Sequence, residues 1–135
     1  MAFYVDTSAL AKLVALEPCS QEMRTWAMQQ TMTACDLIHT ELARFAIMNG
    51  RDVSAVEPAL ATVAITQLST EHFVAAGTLR SAAPLRSLDA IHLVAALALG
   101  TDIDGFVTYD KRLARAAAEQ GLPIVAPGLS ERWYV

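Results

Sequence analysis

The sequence predicts an α/β fold of three layers, with a mostly parallel sheet of four to five strands held between helices on both faces. Two observations carry that prediction. Short apolar runs of β-favouring residues alternate with helical runs along the whole 135-residue chain. Strand-like runs pass through a turn directly into a helix, so successive strands are joined by helical crossovers, which produce parallel pairing and cover both sheet faces. The length suits one domain, residues 1–135, and no linker interrupts it.

The first strand is Phe3-Tyr4-Val5, ending at Asp6, with Thr7 and Ser8 as cap residues for the helix Ala9–Val14. Glu17-Pro18 breaks that helix, and Ser20 caps a second from about Gln21 to Gln29, whose Met23, Trp26 and Met28 serve a core or an interface. Met32–Cys35 is a short strand, and Asp36 caps the helix Leu37–Met48, closed by Gly50. On that helix Glu41 lies one turn from Leu37 and from Phe45, so a carboxylate interrupts an apolar stripe; the ordinary reading is a surface pair with Arg44.

Asp52 or Ser54 opens a further helical stretch bent by Pro58, Ala64–Leu68 reads as a strand, and Ser69 or Thr70 caps a helix through Arg80, with His72 on the surface of its first turn. Ser87–Leu99, stopped by Gly100, is apolar on nearly every side and therefore buried; beyond its cap, its only polar side chains are Asp89 and His92, one turn apart. An unpartnered carboxylate there costs several kcal/mol, so Asp89 must complement the helix dipole, pair, or bind a cation. His92 reads as a satisfied core histidine, bonded to Asp89 or to backbone. Asp104-Gly105 is a turn, Phe106–Asp110 a strand ending in an acid, Lys111–Gln120 a helix closed by Gly121, and Pro123–Ala126 the last strand.

A hydrophobic fraction of 54% with 18% charged residues excludes disorder and suggests that some apolar surface meets a partner. The longest apolar run, Leu93 to Leu99, is far short of the roughly 20 residues of a spanning helix. No basic-then-apolar leader stands at the start, so the expectation is a cytoplasmic protein without membrane association. Cys19 and Cys35 have no paired-ligand spacing and read as small buried hydrophobes. The net charge of −4 argues against a polyanion partner, but setting aside four of the 14 acids as a cation-binding cluster leaves ten against ten bases. Arg80, Arg86, Lys111, Arg112 and Arg115 lie close in sequence to two of those acids.

The four acids are Asp6 and Asp110 at strand ends, and Glu41 and Asp89 near the starts of helices. In a doubly wound sheet such positions can converge on one edge. Clustered carboxylates within about 5 Å repel by a few kcal/mol per pair, which only protonation or a bound cation relieves. An all-oxygen donor set selects Mg²⁺ or Mn²⁺, and such an ion suits phosphate chemistry. No G-x-S-x-G, paired Cys and His, or phosphate-cradling glycine loop offers a competing chemistry.

Four segments in order, Val5-Asp6-Thr7-Ser8-Ala9-Leu10, Glu41-Leu42-Ala43-Arg44, Leu88-Asp89-Ala90-Ile91-His92-Leu93 and Thr108-Tyr109-Asp110-Lys111-Arg112-Leu113, make the chain resemble the PIN-domain ribonucleases, VapC-type toxins above all. The likeness covers essentially the whole chain. It implies a PIN-like sandwich of helices about a parallel sheet, a Mg²⁺ or Mn²⁺ site, endonucleolytic RNA cleavage, a homodimer, and inhibition by a VapB-type antitoxin that places a basic side chain among the acids. It also implies Asp6 and Asp89 as principal metal ligands, Glu41 and Asp110 completing the set directly or through water, and Thr7, Ser8 and Thr108 as supporting or substrate-positioning hydroxyls. Arg86, Lys111 and Arg112 are the candidate RNA contacts.

Other readings share parts of this pattern. A phosphoacceptor signalling domain needs an acidic pair after the first strand, where Thr7 follows Asp6, and a haloacid-dehalogenase-like phosphatase needs an Asp where Ser8 stands. A catalytically silent PIN-like module that binds RNA or protein keeps the same acids.

Overall fold

The computed structural model describes residues 2–135. Strand β1 (Ala2–Val5) sorts its side chains by simple alternation: Phe3 and Val5 enter one hydrophobic cluster and Tyr4 the other. Four more strands flank it, β2 (Thr31–Cys35), β3 (Val63–Thr66), β4 (Gly105–Val107) and β5 (Ile124–Val125). All pair in parallel, in the order β3-β2-β1-β4-β5. The expected α/β architecture is therefore present, with a sheet that is parallel throughout.

Helices α1 (Thr7–Val14), α2 (Ser20–Ala27), α3 (Leu37–Met48) and α4 (Val56–Leu60) contribute to the cluster on one face. The other face is covered by α6 (Ser87–Leu99) and α7 (Lys111–Glu119), with α5 (Thr70–Thr78) packed outside α6 through Ala76, Ala90 and Val94. The central strands are thus buried on both sides, as a parallel sheet requires. No helix among the described residues is long and apolar enough to cross a membrane.

Element ends differ from the sequence reading for local reasons. Asp6, not Thr7 or Ser8, caps α1, its carboxylate accepting from the Ala9 N–H at 2.9 Å. Ser20 and Ser87 are the first helical residues rather than caps, and Ser20 instead donates to the Ala15 carbonyl at 3.1 Å. Asp36 has helical dihedrals and makes no side-chain cap; its carboxylate accepts from Leu68 N–H at 3.3 Å, tying α3 to the chain beyond β3. Asp52 caps a 3-10 turn, Val53–Ala55, that leads into α4. His72 is half-buried in the first turn of α5, where it closes a capping box with Ser69. Helix α5 stops at Thr78, short of Arg80, and β3 stops at Thr66. Of the α2 side chains, Met23 is fully buried, Trp26 packs edge-on against Phe3, and Met28 is exposed. Cys19 is half-buried with φ of 70°, while Cys35 is buried as expected.

Gly105 opens β4 at a close approach of backbone and ring. A Cβ there would lie 3.1 Å from the Pro123 carbonyl oxygen and 3.2 Å from the Phe3 ring. Gly105→Ala is expected to cost about 1–2 kcal/mol, because backbone on one side and a buried ring on the other must yield. A urea midpoint unchanged from wild type would contradict that packing.

Candidate active site

The strand order reverses direction at β1, with β2 and β3 on one side and β4 and β5 on the other. In open α/β sheets a crevice forms at such a switch, beyond the carboxyl ends of the strands. Asp6 follows the last residue of β1 at that point and is 3% exposed. Three donors hold its carboxylate and leave an Oδ2 lone pair open: Ser8 Oγ donates to Oδ1 at 2.7 Å, Ala9 N–H to the same oxygen, and Thr108 Oγ1 to Oδ2 at 2.6 Å. Burial nevertheless pushes the Asp6 carboxyl above its ordinary value, against the pull of those donors and of the His92 charge.

Strand β4 ends at Val107, three residues earlier than the sequence suggests, and the chain turns to serve this site. Tyr109 N–H donates to Ser8 Oγ at 2.9 Å and Asp110 N–H to Thr108 Oγ1 at 3.0 Å, so the turn after β4 is laced to the turn after β1. The Tyr109 hydroxyl anchors the turn from outside by donating to the Pro127 carbonyl at 2.7 Å. Asp110 caps α7, accepting from Leu113 N–H at 3.0 Å. Asp89 sits in the first turn of α6, half-buried. Its carboxyl is pushed up to about 6, first by burial and then by the charges of Asp110, Asp6 and Glu41, with His92 opposing. The other three sequence-predicted acids thus all bear on the ionisation of Asp89.

Glu41 enters from α3 and is held differently. Thr7 Oγ1 donates to its Oε1 at 2.9 Å, and His92 Nε2 lies 2.5 Å from the same oxygen. The partner expected from sequence, Arg44, is exposed and forms no ion pair among the described residues; His92, on α6, takes its place. His92 is likewise not bonded to Asp89 or to backbone. Its Nδ1 meets the Tyr4 hydroxyl at 2.7 Å, and that hydroxyl accepts from Cys35 N–H at 3.3 Å. Burial lowers the imidazole pKa, but the hydrogen bonds to Cys35 and Glu41 and the Glu41 charge outweigh it and raise it to about 10.

Tyr4 and Cys35 were not singled out by the sequence reading. The available signal was Tyr4 itself, because a phenol in the middle of a strand buried on both faces needs a partner for its hydroxyl.

The donor set is all oxygen, yet among the described residues no three acids or imidazoles converge tightly enough to grip an ion by themselves. An all-oxygen set of this kind fits Mg²⁺ by its chemistry, since that ion gives up water reluctantly and is commonly held by one or two carboxylates with water completing its shell. Burial raises Asp89 first, and the repulsion that adds to it is a deficit such an ion would relieve. Asp89 and Asp110 line a cavity of about 420 Å³ with Pro84, Leu85, Arg86, Lys111 and Arg112, so three bases rim the acids. Arg115 turns away, its Nε donating to the Tyr134 carbonyl at 2.7 Å, and Arg80 lines a separate cavity of about 940 Å³ between α5 and α6.

Comparison with known proteins agrees with this architecture. The PIN domain family model matches residues 3–119. Ribonuclease VapC47 of Mycobacterium tuberculosis (strain CDC 1551 / Oshkosh) is 36% identical over 131 residues, spanning 93% of this chain and 96% of that protein. Ribonuclease VapC46 of strain ATCC 25618 / H37Rv is 34% identical over 128 residues, spanning 93% and 98%. The crystal structure of M. tuberculosis VapC20, a Sarcin-Ricin loop cleaving toxin, superposes with a TM-score of 0.68 over 89% of this chain and 95% of that one, at 16% identity, a likeness of fold.

Proposed function

The chain belongs to the PIN-domain family, with VapC ribonucleases among its relatives, and from that premise we propose that it is a Mg²⁺- or Mn²⁺-dependent endoribonuclease, the toxin of a VapBC-type pair. The observation that carries the reading is Asp6, a buried carboxylate at the point where the strand order reverses, whose three donors fix both its oxygens. A merely structural acid at that depth would carry a desolvation cost that nothing in a cap requires.

Asp6 and Asp89 would hold the cation, with Glu41 and Asp110 joining directly or through water. When bound, the ion would make a water molecule more acidic and neutralise charge on the phosphodiester. The protein's share is positioning. Thr108 and Ser8 hold the Asp6 oxygens, and Thr108 also accepts from Asp110 N–H, so one hydroxyl sets two of the acids. Oε1 of Glu41 is occupied by Thr7 and His92, which leaves Oε2 to accept a hydrogen bond from the attacking water.

Arg86, Lys111 and Arg112 would meet the RNA backbone at the cavity rim. Lys111→Ala or Arg112→Ala is expected to raise KM severalfold while kcat stays near wild type. Each loss should also lower the slope of log affinity against log salt by roughly 0.7, the value for one single-strand phosphate contact. A salt slope identical to wild type in both variants would place the RNA elsewhere.

A VapB-type antitoxin, a homodimeric state and a cytoplasmic location complete the proposal. The direct test is sequencing the 5′ ends of cellular RNA after induction of the wild type beside Asp6→Asn. New ends confined to the wild type are expected; identical profiles would refute the nuclease reading.

A further inference from the structure

Three of the acids in the site are set by the helices that carry them, but Glu41 is not. Asp6 and Asp110 cap α1 and α7 and take backbone N–H donors, and Asp89 lies in the first turn of α6. Glu41 lies in the interior of α3, on a long side chain that loses rotamer freedom when it is fixed. We propose that His92 is a positioning residue for Glu41: with Thr7 it pins Oε1, so that only Oε2 is free to act at the site.

The hydrogen-bond directions leave little choice. A carboxylate oxygen can only accept, so His92 Nε2 carries a proton and donates to Oε1. The ring is held at its other end by the Tyr4 hydroxyl on Nδ1, which is itself fixed by Cys35 N–H. Backbone of β2, phenol of β1, imidazole of α6 and carboxylate of α3 thus form one buried line that ends on Oε1. His92 is 1% exposed, so the line has no slack toward solvent. Helix α6 then does two things from one turn: Asp89 serves the site itself, and His92 orients an acid that another helix supplies. Partners of this kind, one step behind the acting groups, typically change metal affinity or activity 10- to 100-fold when removed.

The proposal rests on Glu41 belonging to the cation site, and the test separates the two. His92→Gln keeps a donor at the reach of Nε2, whereas His92→Asn is as polar but ends near the position of Nδ1. Manganese affinity, followed by electron paramagnetic resonance, is expected to stay within about threefold of wild type in His92→Gln. It should weaken about tenfold or more in His92→Asn, with cleavage of a model RNA falling in parallel through kcat. In a Glu41→Gln background the same two substitutions should differ by less than about twofold, since their effect passes through Glu41. Equal manganese affinity in His92→Gln and His92→Asn, or an equal difference between them in both backgrounds, would overturn the positioning role.

Should both His92 variants lose their thermal transition, the wild-type Nε2–H proton resonance serves instead. It is expected far downfield and displaced by Glu41→Gln; a resonance indifferent to that change would also overturn the proposal. Wild-type protein that binds manganese with the predicted His92 dependence but cuts no RNA would refute the nuclease reading alone.

Discussion

Asp6→Asn is expected to lose on the order of 10²–10³-fold or more in Mg²⁺-dependent RNA cleavage while the fold persists or gains stability. The amide can keep a partner in each of the three hydrogen bonds that hold Asp6. Its oxygen keeps Ser8 Oγ and Ala9 N–H, and its NH₂ turns toward Thr108 Oγ1, which accepts while redirecting its own proton to Ser8 Oγ 3.3 Å away. What disappears is the buried negative charge. Asp6 has its folded pKa raised, mainly by burial, so its protonated form favours the fold. That contribution is fully present below the unfolded value of 3.8 and is lost as pH rises through the folded one. At neutral pH an ionised Asp6 therefore opposes folding, and asparagine removes the opposition. Two measurements check this together. In chelator, the variant should melt at or above the wild-type temperature; with added Mg²⁺ the wild type should rise and the variant should not, because only a state that binds the ion gains from it. Equal cleavage by the two proteins, with contaminating nuclease excluded, would sink the assignment of Asp6.

The sequence discloses unequally what the site is made of. Asp6 and Asp110 are legible because local chemistry marks them: each ends an apolar run and precedes a helix, and both do cap. Asp89 is legible because α6 is apolar on most sides and an acid stands out there. The sheet is legible from the alternation of short apolar runs and helices, although its order β3-β2-β1-β4-β5 is not, since nothing local tells β4 to pair with β1 instead of β3. Glu41 shows the limit. Its spacing to Arg44 suggests a helix-surface pair, yet the partner is His92, 51 positions along the chain. That contact exists only because β1 brings α1 and Thr7 beside it and because α6 crosses the opposite side of the same sheet edge. Side-chain pairs made by crossovers leave no period in the sequence, so a helical pattern offers the nearest charge and tertiary structure overrides it. The turn after Val107 is a similar case. Phe106–Asp110 reads as strand by composition, but the backbone of Tyr109 and Asp110 is taken by the hydroxyls of Ser8 and Thr108, which ends the ladder where the site needs a turn.

Asp89→Asn should show, in the absence of divalent ions, a flatter dependence of stability on pH than the wild type. The Asp89 carboxyl is raised from 3.8 to about 6, first by burial and then by its acidic neighbours Asp110, Asp6 and Glu41. The folded protein thus holds this proton more tightly than the unfolded chain does. Its stabilising contribution is complete below pH 3.8, shrinks as pH rises, and is gone above about 6. The full shift corresponds to about 3 kcal/mol, and water at a half-buried group reduces this to about 1–2 kcal/mol. Urea unfolding in chelator between pH 4 and 7 should therefore show the wild type losing about 1–2 kcal/mol that the variant does not lose. Magnesium should reverse the comparison, since the ion answers the repulsion that raised the carboxyl and the wild type alone offers it a ligand at this position. Cleavage by Asp89→Asn should fall by a factor comparable to that of Asp6→Asn, on the order of 10²–10³. Parallel stability curves for the two proteins in chelator would mean that Asp89 is not under the field of the other acids, and a shared cation could not then be what draws them together.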